Sequence, residues 1–495
     1  MSQQILDNLK YFQPEIILTV TLCFALLVGV ISKKGTIVGY ISFVGILLAT
    51  YLGINNGNGD VISIFNNMFA VDPFAGYFKF IIGLSTLIVI AFSFQSKELN
   101  TEKRSVSEYY SFLVALTLGM FLMAGASNLL MMYLALELSS LTSYLLAGYT
   151  RERTNSSEAS LKYLLFGAVS SGMMLYGISL MYGMTGSVDI YGVNRALITG
   201  DYNTIALLIS GILITVGFGY KISAVPFHFW TPDVYEGAPI TITALLSVAS
   251  KAAGFAMMIR FFKVSFFDVS APAMEGYWNI ISQFNWNVIL AIISVLTMTL
   301  GNLVAVWQTN LKRLLAYSSI AHAGYMLMGL VVLSNEGISA IMIYFMMYLF
   351  MNLGAFYVVM LIAQKTGSED IDDYKGLAYR SPFISVVMVI FLIALTGLPP
   401  TAGFIGKLYI FISVIDARWY WLAVVGALNS VISLFYYVKI FRNMFLKQPE
   451  GDIIPIEFSM TQIVWLVLLV APTIIFGLYF SPIVAYAQES VKLFQ

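Results

Sequence analysis

The sequence predicts an all-α integral membrane protein. Hydrophobic residues make up 59% of its 495 residues and charged residues 11%, whereas soluble globular chains have about 45–50% and about 25%. The mean hydropathy is +0.84. A water-soluble core cannot hide this much apolar surface. Because lipid offers no partners to backbone polar groups, long apolar runs of about 17–25 residues predict membrane-spanning helices.

Apolar runs of this kind predict about 14 transmembrane helices. The longest run, 383–415, contains Pro399 and Pro400, and proline breaks or kinks a helix, so this span is predicted to be broken. Pro226, which follows Lys221, predicts a second break. The predicted spans are 14–32, 35–54, 75–95, 109–126, 128–149, 160–184, 204–223, 239–262, 285–307, 312–333, 337–364, 383–415, 419–446 and 460–482.

The loops between these spans predict an orientation. One set of alternate loops holds most of the 26 Lys and Arg residues, and such loops face the cytoplasm. With an even number of spans, both termini are then expected on the periplasmic side of a bacterial inner membrane. The richer set includes Lys33, Lys34, Lys103 and Arg104, and the poorer set includes Lys79 and Arg260.

Residue counts exclude several kinds of site. The chain has one cysteine, Cys23, and two histidines, too few ligands for iron–sulfur clusters or structural zinc. No dinucleotide-binding glycine motif is present. Equal numbers of acidic and basic residues exclude a basic nucleic-acid platform. The N-terminus resembles no signal peptide, so the first span is expected to be retained.

Four charged residues fall in the middle of predicted spans. They are Glu137, Lys221, Lys251 and Lys407. A charge near the bilayer centre costs about 2.5–3.5 kcal/mol on insertion scales, and such residues usually serve ion or proton pathways. The structural alternative is an ion pair that locks helices together, or a lysine that extends to the membrane surface.

Buried lysines suit proton transport for a physical reason. Burial favours the neutral form of a lysine, and a nearby carboxylate favours the charged form. Moving or neutralising that carboxylate therefore switches a lysine between holding and releasing a proton. Lys221 and Lys407 also adjoin the two predicted breaks, and paired broken helices indicate a transporter ion site. The alternative for each break is an ordinary span end with a proline turn.

The histidines and remaining acids are weaker candidates. A lone buried histidine is more often a packing residue, but His322 lies within a span beside Ser318, Ser319 and Tyr325, which leaves a relay role open beside simple packing. His228 follows the Pro226 break and is a second candidate for proton transfer. We interpret the acids of the connecting segments as solvated loop charges; these are Asp72, Asp189, Glu369, Asp370, Asp372 and Asp373.

Five segments together resemble the antiporter-like (Mrp-type) membrane subunits of NADH-quinone oxidoreductase, respiratory complex I. The segment 136–146 is similar to the fifth-helix motif of subunit N in particular. The resemblance runs over nearly the whole chain in the same order. The segments are 136–146, 158–163, 225–237, 317–325 and 397–404.

This resemblance implies an organisation and a set of residue roles. Three N-terminal helices (1–108) precede two inverted five-helix repeats (109–262 and 285–446) and a C-terminal helix (460–482), and the seventh and twelfth helices are broken. Glu137 would tune Lys221, the central proton-binding lysine. Lys251 would connect the halves, His322 would lie on the hydrophilic axis, and Lys407 would serve the second half.

The resemblance also implies proton translocation driven by quinone reduction in other subunits. No cofactor is expected on this chain, and NADH, FMN, iron–sulfur clusters and quinone are expected elsewhere in the complex. The expected partners are other membrane subunits of complex I and the lipid bilayer, with no nucleic acid and no function for the chain alone.

Three other functions compete with this interpretation. A subunit of a multisubunit cation/proton antiporter shares the fold and the lysines. A structural scaffold would use the charges as clamps between helices. A solute carrier of another family would need a motif that the sequence does not contain.

Overall fold

The structure is a computed structural model that describes residues 2–32, 35–57, 59, 61–100, 106–200, 202–268, 277–278, 281, 285–448 and 455–493. It is helical apart from turns, loops and one short antiparallel hairpin, β1 (Ile62–Ile64) and β2 (Phe69–Val71). Four basic residues of the orientation argument, Lys33, Lys34, Lys103 and Arg104, lie outside the described residues.

The helices follow one another with short connections. The first half contains α1 (Ser2–Tyr11), α2 (Gln13–Ile31), α3 (Gly35–Gly57), α4 (Pro73–Gln95), α5 (Ser107–Gly125), α6 (Leu129–Ala147), α7 (Thr154–Thr185), α8 (Ile190–Thr199), α9 (Thr204–Ile222), α10 (Trp230–Gly237), α11 (Ile240–Leu245) and α12 (Lys251–Phe266). The second half contains α13 (Trp286–Val306), α14 (Leu311–Val331), α15 (Asn335–Thr366), α16 (Leu377–Arg380), α17 (Pro382–Thr396), α18 (Ala402–Asp416), α19 (Tyr420–Phe445), α20 (Met460–Leu478) and α21 (Ser481–Glu489).

The prediction of about 14 spans is confirmed. Among the described residues, 13 helices are long and apolar enough to cross a membrane. The remaining predicted span, 383–415, is formed by α17 and α18 together. The largest boundary difference is at α7, where the predicted span 160–184 begins later than the helix. The helix begins at Thr154, in polar residues that precede the apolar run.

Both predicted breaks are present. α9 ends before Ser223, which has a left-handed conformation (φ 64°), and α17 ends before Gly397 (φ 87°). A proline follows three residues later in each case, Pro226 and Pro400, and both prolines are preceded by cis peptide bonds. The chain then resumes as α10 and α18 respectively.

The centre of the molecule is one continuous helical segment. Every residue from Ile240 to Phe266 is buried. Within it, a π-helical turn (Leu246–Ser250) separates α11 from α12, so that Lys251 is the first residue after the turn. π-turns insert an extra residue into a helix and are frequent at functional sites. α4 and α15 pack along this segment, and both are mostly buried.

A six-residue segment occurs twice with the same local structure. Thr185–Ile190 reads T-G-S-V-D-I and Thr366–Ile371 reads T-G-S-E-D-I. Each follows a 32-residue helix that ends at a left-handed glycine. Each then bonds to the start of an earlier helix, since the Leu129 amide donates to the Val188 carbonyl and the Leu311 amide to the Glu369 carbonyl.

The N-terminal helices are fixed by two buried ion pairs that the sequence did not reveal. Asp72 is not a solvated loop charge, and that interpretation is wrong. Both of its oxygens accept from Arg260, at 2.6 and 3.0 Å, and both side chains are fully buried. Glu15 and Lys79 form a second pair at 2.7 Å. Lys79 and Arg260 are therefore helix residues rather than loop residues.

We expect Asp72→Asn to destabilise the chain strongly. The amide still caps α4, but Arg260 is left as an uncompensated buried charge, which costs about 3–5 kcal/mol. The thermal unfolding temperature of the purified protein and its amount in the membrane should both fall.

Asp189→Asn is the matched control, because Asp189 also caps a helix and its ion pair with Arg195 is long (3.9 Å) and exposed. This change should lower the free energy of unfolding by no more than about 1 kcal/mol. Equal effects of the two substitutions would contradict the assignment of a strong buried pair.

Candidate functional site

Glu137 lies on the outer edge of the chain in the middle of α6. Leu134 and Leu141 are 52% and 53% exposed, and their spacing of three and four residues from Glu137 places all three on one face of the helix. Glu137 itself is half-buried. Its Oε1 atom is buried without a hydrogen-bond partner among the described residues. The carboxylate therefore stands at the boundary between this chain and its surroundings in the membrane.

Lys221 lies near the end of α9, two residues before the break. Its side chain is buried, and Nζ donates to Ser140 Oγ at 3.4 Å. Ser140 follows Glu137 by three residues on α6, so the lysine reaches the face of α6 that carries the carboxylate. The stem of Lys221 also packs where a side chain at Gly254 of α12 would lie. This contact places Lys221 against the helix that carries Lys251.

Lys251 is fully buried at the centre of the molecule. Its Nζ donates to the backbone carbonyl of Ser319 in α14 at 2.7 Å. Ser319 lies one turn before His322 on the same helix. Lys251 therefore bonds the α12 segment to the helix that carries His322.

His322 is buried among tyrosines. Its Nδ1 lies 2.6 Å from the Tyr344 hydroxyl and its Nε2 lies 3.4 Å from the Tyr437 hydroxyl. The Tyr437 hydroxyl is 2.5 Å from Ser318 Oγ. A neutral imidazole has one donor and one acceptor nitrogen, so His322 can pass a proton between the two hydroxyl groups.

Lys407 is held by the end of the broken twelfth span. Its Nζ donates to the carbonyl of Thr396, the last residue of α17, at 2.8 Å and to Ser430 Oγ at 3.2 Å. The last carbonyls of a helix have no partner within the helix and carry its negative dipole end. Nζ also lies 4.4 Å from the centre of the Tyr325 ring. The break therefore supplies the acceptor for this lysine.

The predicted residues thus form one polar line across the molecule. It runs from Glu137 through Lys221 and Lys251 to His322 and Lys407. Lys221 bonds to a serine hydroxyl, His322 to tyrosine hydroxyls, and Lys251 and Lys407 to backbone carbonyls. The lysines and the histidine can each hold or release a proton. The arrangement therefore places proton-binding groups in both halves of the chain.

His228 does not join this line through any described hydrogen bond. It is buried in the break after α9 and packs on the ring of Phe229, with ring centroids 4.5 Å apart. Its Nδ1 has no partner among the described residues. The structure therefore places it in the first break, seven residues after Lys221 in the chain, without a described hydrogen bond to Lys221 or to the other candidates.

The short helix α10 after the first break is held by surface ion pairs. Asp233 accepts from Lys162 of α7 and from Arg313 of α14, both at 2.6 Å, and Glu236 pairs with Arg313 at 2.8 Å. All four side chains remain partly exposed. These pairs tie α10 to both halves of the chain.

Comparisons with known proteins show the family of the chain. Residues 126–433, more than half of the chain, match the family described as NADH:quinone oxidoreductase/Mrp antiporter, TM. The chain is also 46% identical over 488 residues to the NADH-quinone oxidoreductase subunit N 2 of Chloroherpeton thalassium, a match that covers 97% of this chain and 94% of that protein. The chain belongs to the NADH-quinone oxidoreductase subunit N family. The family predicted from the segment 136–146 is confirmed.

Solved structures share the subunit N fold. A chain of respiratory complex I from Thermus thermophilus, solved with bound aureothin, is 29% identical with a TM-score of 0.78, over 95% of this chain and 98% of that chain. A chain of the Mrp complex from Dietzia sp. is 20% identical with a TM-score of 0.83, over 97% and 96%. The second likeness concerns the fold alone. The chain is accordingly a subunit of a multisubunit membrane complex.

Sequence reasoning placed Ser319 beside His322 but missed the other neutral partners of the charged residues. These partners are common residue types in apolar helices, and nothing in their local sequence distinguishes them; they are Ser140, Tyr344, Tyr437 and Ser430. The pairing arises from helix packing. The adjacent serines and the histidine of the segment 317–325 were the one signal that placed some of these residues near the site.

We expect Gly397→Ala to displace Lys407. The left-handed backbone of Gly397 costs about 1–2 kcal/mol for any residue with a Cβ. A Cβ there would lie 2.7 Å from Lys407 Cδ, so the lysine must leave the Thr396 carbonyl. Quinone-dependent proton pumping per assembled complex should fall in addition to a loss of thermal stability.

Gly367→Ala provides the control for the backbone cost. Gly367 is also left-handed (φ 74°), but a Cβ there meets nothing within 4 Å. It should lower stability by a similar amount and leave pumping per complex unchanged. Equal pumping by the two variants would show that the contact with Lys407 is irrelevant.

Proposed function

We propose that this chain translocates protons as the subunit N component of an NADH-quinone oxidoreductase. The groups that carry the protons are Glu137, Lys221, Lys251, His322 and Lys407. The observation that supports this most directly is the presence of five ionisable groups within otherwise apolar helices, since ionisable groups at membrane depth cost free energy and are retained for transport.

The mechanism follows from the kinds of partner that each lysine has. Lys221, Lys251 and Lys407 are bonded to hydroxyl or carbonyl oxygens, which are neutral. A neutral acceptor stabilises an ammonium less than a carboxylate does, so a small electrostatic change suffices to release the proton. Glu137 supplies such a change at one end of the line, beside Ser140 and Lys221.

His322 separates proton transfer along this line into two steps. Lys251 bonds to the Ser319 carbonyl one turn before His322 on α14, so a proton released by Lys251 would need only hydroxyl groups or water beside this turn to reach the imidazole. The Tyr344 and Tyr437 hydroxyls hold both ring nitrogens and so fix the ring for onward transfer towards Lys407. His228 has no comparable partners and stays a weaker candidate.

We further propose that residues 109–262 and 285–446 are two inverted repeats, between the N-terminal helices (1–108) and the last span (460–482). The duplicated T-G-S-x-D-I segment and the two similar breaks support this. The second repeat begins five spans after the first. Because five is an odd number, the second repeat would enter the membrane from the opposite side.

The remaining chemistry is assigned to other subunits. NADH, FMN, iron–sulfur clusters and quinone would be bound there, and quinone reduction would drive proton movement in this chain. The positive-inside pattern supports a bacterial inner membrane with both termini in the periplasm. The name of the Chloroherpeton relative also favours NADH-quinone oxidoreductase over a multisubunit antiporter.

We expect Glu137→Gln and Lys221→Met each to lower proton pumping by roughly two orders of magnitude, as for loss of a group that exchanges the proton directly. Pumping would be measured as quinone-dependent acidification of inverted membrane vesicles. It would be divided by NADH:ferricyanide activity, which counts assembled complexes without using the membrane subunits.

Lys439→Met is the control, because Lys439 bonds the Gln308 carbonyl near the end of α19 and lies off the polar line. It should pump normally. Normal pumping by Glu137→Gln and Lys221→Met in assembled complexes would refute the proposed function. Loss of assembly alone would favour the scaffold alternative, and pumping that requires sodium would favour a cation/proton antiporter.

A further inference from the structure

A buried network of amide and hydroxyl groups connects three helices beside Lys407. Asn302 of α13 lies at its centre and is fully buried. Its amide nitrogen donates to the Tyr325 hydroxyl of α14 at 2.9 Å and to Asn429 Oδ1 of α19 at 3.2 Å, and its Oδ1 accepts from the Tyr436 hydroxyl at 3.0 Å. A primary amide has two donor hydrogens and an acceptor oxygen. Both ends of the Asn302 amide therefore have partners.

Two glycines bring the backbones of α13 and α14 together at this bond. Gly301 precedes Asn302, and Gly324 precedes Tyr325. A Cβ at either glycine would lie within 2.6 Å of a backbone nitrogen of the other helix. This close approach fixes the two helices relative to each other, so that the Asn302 amide stands opposite the Tyr325 hydroxyl.

The ring of Tyr325 covers the ammonium group of Lys407. Nζ lies 4.4 Å from the ring centre, and the attraction between a ring face and a cation extends to about 6 Å. The Tyr325 hydroxyl also interacts with the side chain of Ser430, whose hydroxyl accepts from Lys407 at 3.2 Å. Tyr325 therefore acts on the lysine through its ring and through Ser430.

The two halves of the chain differ at the position of this ring. The duplicated contact matches the first residue of α6 with the first residue of α14. Counted from these two residues, Glu137 corresponds to Ser319, and Ser143 corresponds to Tyr325. The second half therefore has a serine where the first half has its carboxylate, and an aromatic ring where the first half has a serine.

We propose that Asn302 is a positioning residue for proton transfer at Lys407, and that it acts by holding the Tyr325 ring over the ammonium group. The inference rests on the proposed function and deepens it, because it names the residues that control the lysine of the second half. The ring face attracts the ammonium and not the neutral amine, so the ring favours the protonated state of the lysine. Neither Asn302 nor Tyr325 takes the proton itself.

Loss of the amide should release the ring. In Asn302→Leu the Tyr325 hydroxyl keeps Ser430 as its partner and turns towards it, so the ring leaves its place over Lys407. Proton pumping per complex should fall roughly threefold to tenfold, less than the ~10²–10⁴-fold effect of losing a group that exchanges the proton directly. Asn302→Leu should have little further effect in a chain that already carries Tyr325→Phe, because the hydroxyl through which Asn302 acts is then absent.

Fluorinated phenylalanines separate the electrostatic effect of the ring from its packing. Fluorine draws electrons away from the ring face and weakens its attraction for a cation, while the ring keeps nearly the same shape. Phenylalanine, 4-fluorophenylalanine and 3,4,5-trifluorophenylalanine would each replace Tyr325 in the assembled complex. Pumping per complex should fall stepwise along this series, by roughly threefold to tenfold in total, as the attraction for the Lys407 ammonium is lost. A ring that only fills space would give the same pumping with all three.

Phe391 and Asn443 provide matched controls. Phe391 is a buried ring of α17 that packs against Gly354, and no lysine or arginine of the described residues lies over it. Asn443 is a buried asparagine of α19 that bonds the Ile371 carbonyl. The fluorinated series at Phe391, and Asn443→Leu, should leave pumping per complex unchanged.

The inference is overturned if Asn302→Leu pumps normally, if it reduces only the amount of complex, or if the three rings in place of Tyr325 pump equally. Lys407→Met separates this inference from the function on which it rests. If Lys407→Met pumps normally, the proposed function fails. If Lys407→Met is inactive while Asn302→Leu and the fluorinated series at Tyr325 pump normally, the role of Asn302 alone is wrong.

Discussion

A charged side chain inside the membrane needs a partner. The kind of partner separates the buried charges that must stay ionised from the lysines whose protonation can change. Arg260 and Lys79 face carboxylates at 2.6 and 2.7 Å and are fully neutralised by them. Such pairs resist change because removing either charge leaves the other unpaired. Lys251 and Lys407 face neutral oxygens instead. Their protonation can change without leaving an opposite charge stranded.

The spans and the breaks could be predicted because both depend on local sequence. Apolar length sets a span, and proline stops a helix wherever it occurs. Glu137, Lys221, Lys251 and Lys407 could be identified for the same reason, since each is conspicuous against its own apolar neighbours. The structure adds that two of these lysines take backbone carbonyls as partners, which no residue pattern indicates.

What could not be predicted depends on residues far apart in the chain. Asp72 precedes a proline and a helix, so its local sequence is that of a loop; its partner Arg260 is 188 positions away. Asn352 and Ser247 meet in the same way across two helices. The duplicated T-G-S-x-D-I segment, by contrast, was visible in the sequence and was not used. It would have supported the repeats without any resemblance.

The two breaks have similar backbones but serve their lysines differently. After the second break, the freed carbonyl of Thr396 holds Lys407, so the end of α17 stabilises that ammonium directly. At the first break, the carbonyl of Tyr220 is taken by the indole of Trp230 at 3.0 Å, and Lys221 is left with a long bond to Ser140. Under the proposed function, the charge of Lys221 depends on the carboxylate of Glu137. The two breaks therefore differ in that one helix end holds its lysine directly and the other leaves its lysine to a side-chain partner on α6.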